Sequence, residues 1–91
     1  MAIRYTEEAE ADLMGIIDYG IDNDQPDPVA YVRTLRQRFQ TLDVNRVPGR
    51  KGRVPGTKEW VVTGTPYIVV FIATEGLIDV LRVLHGSRQW P

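Results

Sequence analysis

From Pro66 to Thr74 the chain reads Pro-Tyr-Ile-Val-Val-Phe-Ile-Ala-Thr, with no charge and no alternation of apolar with polar residues. β-Branched and aromatic side chains favour extended backbone, and a strand apolar on both faces needs cover on both. The run is therefore expected at the centre of a sheet. Lys58–Thr63 before it is short and β-rich, and Leu77–His85 after it is nearly as apolar. Gly64-Thr65 and Glu75-Gly76 separate the three as two-residue hairpin links, where glycine supplies the positive φ.

The N-terminal half has a different period. Ile3-Arg4-Tyr5 alternates like a short first strand. Thr6 then has the chemistry of an N-cap, with Glu7 and Glu8 in the first turn where the helix dipole favours negative charge. Ala9, Leu13, Ile16, Ile17 and Gly20 form a narrow apolar stripe at helical spacing. Asn23-Asp24-Gln25-Pro26 ends it. Asp27-Pro28 starts a second helix, a cap followed by proline at the first helical position. Val32, Leu35, Phe39 and Leu42 carry that helix to about Asp43. The order β-α-α-β-β-β predicts an α+β domain, a helical hairpin on one face of a small antiparallel-rich sheet. The expected unit is a single domain over residues 1–91, with a short tail, 86–91, leaving the sheet.

Composition sets the outer limits. A chain of 91 residues can bury about 64% of its extended surface, enough for one core and not two. With 43% hydrophobic and 25% charged residues it is globular rather than disordered. The absence of cysteine excludes a disulfide framework, a thiolate zinc site and a Cys nucleophile, and no cofactor or metal is expected. No apolar run approaches the ~18 residues that span a membrane. The N-terminus turns acidic at once and lacks a signal-peptide core, so the expected location is the cytoplasm.

A net charge of −1 conceals an asymmetry: 4 basic and 9 acidic residues up to Asn45, 7 basic and 3 acidic from Arg46 onward. Arg46, Arg50, Lys51, Arg53 and Lys58 fall in a 13-residue stretch without an acid, threaded through two Val-Pro-Gly tripeptides. Such a stretch can face an acidic partner or nucleic acid, or can be a solvated loop whose charges meet the acidic helices. It lacks the G-x-x-x-x-G-K-[ST] order of a phosphate-binding loop.

Three segments carry a family resemblance: Arg53-Val54-Pro55-Gly56-Thr57-Lys58-Glu59, Pro66-Tyr67-Ile68-Val69-Val70-Phe71, and Arg82-Val83-Leu84-His85-Gly86-Ser87-Arg88-Gln89-Trp90-Pro91. With them the chain resembles the RelE/ParE superfamily of type II toxins, and the last segment resembles the ParE-like branch. The resemblance implies a cognate antitoxin, a hetero-oligomeric complex, a role in plasmid stabilisation and growth inhibition, and one of two targets. ParE-like toxins inhibit DNA gyrase, whereas RelE-like toxins cut mRNA on the ribosome. RelE-like members carry second-strand lysines, an arginine opening the third strand, an arginine just after the last strand and a C-terminal tyrosine. Here the matching positions fall around Val61 and Thr63 and at Tyr67, and only Arg88 matches as a basic group. The nuclease apparatus is mostly missing, which favours the gyrase branch.

Candidate target contacts are Arg82, Arg88, Gln89 and Trp90. Arginine and tryptophan suit interface anchors, although Arg82 can equally pair with a helix acid and Trp90 can fold back on the sheet edge. The alternative is an endoribonuclease using Arg82, His85 and Arg88, and a third is an inactive module that only binds antitoxin. His85 alone also suits a hydrogen-bonded turn residue. Strand alternation places Arg82 on one face with Val80 and Leu84, and Trp60 in the core.

Overall fold

A computed structural model of the chain describes residues 2–42 and 49–86. Its elements are β1 (Ala2–Tyr5), α1 (Glu7–Asp22), α2 (Pro28–Phe39), β2 (Arg50–Lys51), β3 (Lys58–Val61), β4 (Tyr67–Thr74) and β5 (Leu77–His85). They form one sheet in the order β1-β5-β4-β3-β2. The two-sided apolar run is its central strand. Val69 and Phe71 enter the core beneath the helices with Val80, Val83, Leu35 and Phe39. Ile68 and Val70, of opposite parity on the strand, are buried as well.

β4 pairs antiparallel with β3 and β5, while β1 lies parallel to β5, with Ile3 beside Ile78 and Tyr5 beside Val80. A parallel neighbour requires a crossover, which the two helices provide. Thr6 sits where the crossover begins. Its Oγ1 accepts from the Ala9 amide at 3.1 Å, capping α1, and donates to the Leu81 carbonyl at 2.7 Å. One hydroxyl both starts the helix and fastens it to β5. Asp27 caps α2 by accepting from the Ala30 amide at 3.0 Å.

Four expectations require correction. The second helix stops at Phe39 rather than near Asp43, because Thr41 and Leu42 donate to the Arg38 and Phe39 carbonyls in tighter i→i−3 turns. That unwinding still delivers Leu42 to the core, which explains why the apolar period outran the helix. The basic stretch contains a strand, β2, that two charged residues could not announce. The β3–β4 link is longer than two residues, closed by Thr65 N–H to the Val62 carbonyl at 3.0 Å, whereas Glu75-Gly76 is the two-residue turn expected. Finally, alternation fails along β5. Val80 opposes Phe71 but Arg82 opposes Val70, so Leu81 is an extra residue in a bulge. Val80 and Val83 therefore share the helix-facing side, and Arg82 is not grouped with Val80.

Glycines in α1 separate packing from propensity. A Cβ on Gly20 would meet the Pro28 ring at 2.6 Å, whereas one on Gly15 would meet nothing within 4 Å. Gly15→Ala is expected to stabilise by about 1 kcal/mol through helix propensity. Gly20→Ala is expected to destabilise by about 1–3 kcal/mol through overpacking of the helix–helix junction. Urea denaturation of the two variants checks both signs.

Candidate functional site

α1 and β5 meet at Asp12. Its carboxylate accepts from Arg82 Nε at 2.8 Å, from Arg82 Nη2 at 3.0 Å and from the Val83 amide at 2.9 Å. The bulge makes this possible by interrupting the β5 ladder beside Arg82. A bidentate arginine–carboxylate pair is the strong form of the ion pair, and Asp12 raises the Arg82 guanidinium above its already high ordinary value. The residue singled out as a target contact is therefore engaged in holding helix to sheet, the ion pair that its strand position also allowed.

Beside that pair runs a two-lobed cleft. One lobe, about 680 Å³, is bordered by Asp12, Gly15, Tyr19, Tyr67, Val83 and His85. The other, about 310 Å³, continues past Tyr19 and Tyr67 to Pro26, Pro28 and Tyr31 at the helical turn. Aromatic edges build its wall: Tyr31 meets Tyr67 at 6.3 Å and Tyr67 meets His85 at 5.9 Å between ring centroids, both edge-on. His85, at the end of β5, is exposed on this rim. Burial raises the Tyr67 and Tyr31 phenols above their ordinary range, so both are neutral hydrogen-bonding groups near neutral pH rather than bases.

Sequence reasoning missed the tyrosines. The available signal was the surplus of large apolar residues outside the α1 stripe, since Met14, Tyr19 and Ile21 are each more than half exposed. Arg88, Gln89 and Trp90 lie outside the described residues, as does Arg46. Among the described residues, no group of three His, Asp or Glu side chains could hold a metal ion. Trp60 is half-buried against the core, with the Arg38 guanidinium 5.9 Å from its ring centre.

The basic stretch finds its acid on β3 rather than on the helices. Glu59, 1% exposed, accepts from the Arg53 amide at 2.9 Å, from Arg53 Nε and Nη2 at 3.1–3.3 Å, and from Arg50 Nη2 at 3.4 Å. It is thus occupied by arginines and is no partner for His85. Val54-Pro55-Gly56-Thr57 closes a turn, with Thr57 N–H to the Val54 carbonyl at 3.2 Å and Gly56 at φ +83°, the conformation for which proline-glycine is suited.

Two measurements separate structural from contact roles here. Arg82→Met is expected to cost about 2–3 kcal/mol, less than a fully buried pair, because its side chain remains 20% exposed. A pure contact residue would leave the denaturation midpoint unchanged. Glu59 is held below the usual carboxylate range, chiefly by hydrogen bonds from Arg53. The stability it contributes is present above its unfolded pKa, about 4.3, and is lost as pH falls through the lower folded value. Acid melting of Glu59→Gln should lack that component of the pH dependence.

Comparison with known proteins supplies the wider setting. The family model "ParE toxin of type II toxin-antitoxin system, parDE" matches residues 3–90. The chain is 33% identical over 90 residues to "Putative toxin Y4kP" of Sinorhizobium fredii (strain NBRC 101917 / NGR234), covering 98% of this chain and 92% of that one. It is also similar to a solved structure titled "Chromosomal ParDE TA system from P. aeruginosa", with a TM-score of 0.81, 26% identity, and 93% and 95% of the two chains covered.

Proposed function

The chain belongs to the ParE toxin family of type II toxin–antitoxin systems, and on that premise we propose that it inhibits DNA gyrase and is neutralised by a cognate antitoxin. Family membership implies the antitoxin; gyrase is this reading's own step. The toxin acts by binding rather than by chemistry, holding gyrase on cleaved DNA so that replication is blocked.

The observation that carries the reading is the character of the cleft. Phosphodiester cleavage needs cations to stabilise the developing charge and groups that move protons. The cleft instead presents neutral tyrosines, prolines and one histidine, and its arginine neighbour is bound by Asp12. The positions matching the strand cations of a RelE-like nuclease are Val61 at the end of β3, Thr63 in the link after it and Tyr67 at the start of β4. Arg88, Gln89 and Trp90, which lie outside the described residues, are assigned as target contacts. Met14 and Ile21, seven residues apart on one face of α1 and both exposed, are the apolar side chains an antitoxin would cover.

Purified gyrase with ATP and relaxed plasmid tests the reading. Antitoxin-free protein should abolish supercoiling and leave linear DNA covalently joined to protein, and deletion of residues 88–91 should restore supercoiling. Undiminished supercoiling by folded toxin at high excess, with mRNA cleavage in a translating ribosome assay, would replace gyrase with the ribosome.

A further inference from the structure

β2 is the outermost strand, and with the turn that follows it and β3, which pairs with β4 on its other side, it forms one edge of the sheet, a ribbon whose open side is β2 alone. Four cations stand on it: Arg50, Lys51, Arg53 and Lys58, all exposed. Their only acid on the ribbon, Glu59, is buried and already shared by two arginines. Register places Lys51 directly opposite Lys58. Two like charges on facing strand positions repel, and among the described residues neither lysine has a carboxylate within ion-pair distance. A cross-strand repulsion left uncompensated in this way is relieved when an anion arrives. Strand parity sets Lys51 and Lys58 on one face of the ribbon and Arg50 on the other, and Glu59 secures the backbone and side chain of Arg53 on that second side.

We propose that this ribbon edge binds the phosphate backbone of duplex DNA, with the cations of its two faces meeting the phosphates that flank one groove. The arrangement distinguishes DNA from an acidic peptide, because an extended peptide lying along the ribbon neutralises one face only. The major groove, by contrast, is about 12 Å wide and lies between two phosphate rows, so a sheet edge entering it meets phosphates on both faces. Charge segregation sets the orientation, since the acidic α1 is repelled by the same phosphates that attract the ribbon. The inference deepens the gyrase reading by giving the toxin a hold on the DNA in that complex, and it is measured without gyrase.

The probe is a fluorescently labelled 20-base-pair duplex, titrated with the full chain at several salt concentrations and followed by anisotropy. Lys51, Lys58 and the single net positive charge left where Glu59 is shared by Arg50 and Arg53 predict log K falling against log salt with a slope of about −2.7, and Lys51→Gln/Lys58→Gln should reduce that slope to about −0.9. Removing a repelling pair should leave the melting temperature of the variant unchanged or higher, so weaker binding is not misread as unfolding. No duplex binding at the lowest salt, or an unaltered slope in the variant, overturns the proposal. Displacement of the duplex by a lower charge concentration of polyglutamate than of unlabelled DNA also overturns it and assigns the edge to an acidic protein segment. Intact gyrase supercoiling together with salt-dependent duplex binding would remove the gyrase reading and leave the ribbon's role standing.

Discussion

Asp12 holds α1 to β5. A carboxylate on the second turn of α1 accepts two hydrogen bonds from Arg82 and one from the Val83 amide, at the point where β5 bulges. The helix axis, the bulge and the cleft floor are fixed relative to one another by that contact. A few residues earlier, Thr6 adds a second tie between the start of α1 and the Leu81 carbonyl. Both attachments use β5 groups that the bulge and the sheet rim leave outside the ladder. The bulge is thus a docking feature for the helix, consistent with the way such irregularities redirect strands beside functional surfaces.

Charge is distributed with a similar logic. Most acids lie on α1 and the turn after it, and the cations concentrate on the β2–β3 ribbon at the far edge of the sheet. Two exposed ion pairs, Arg36 with Glu10 and Arg4 with Asp79, join elements locally, and pairs so exposed contribute little. Glu59 is different, because burial strengthens its interaction and its partners restrain a turn. The result is a toxin-family fold with a tyrosine-lined cleft between α1 and β5 and a basic rim at the β2 edge of the sheet.

Much of the fold was legible in the chain because the relevant signals are local. Thr6 and Asp27 cap the helices for reasons of side-chain chemistry, and Glu75-Gly76 turns because glycine tolerates its φ of +73°. Two of the misreadings share a physical origin. Leu42 extends an apolar period after the helix has tightened into i→i−3 turns, and Leu81 displaces the parity of every residue behind it. Burial pattern records which side chains are inside, and these are the places where the backbone reaches the inside by another geometry.

The sequence by itself determined both helices, four of the five strands, their order and the family, since periodicity, caps, turn residues and three short segments are read along the chain. It also determined that the central strand would be apolar on both sides. Only the tertiary structure decided that β1 runs parallel to β5, that Asp12 takes Arg82, and that Tyr19, Tyr31, Tyr67 and His85 share one cleft. Those relations join residues far apart in the chain, as with the 70 positions separating Asp12 from Arg82. Local propensity carries no information across such a distance; packing of the helical hairpin against the twisted, bulged sheet does.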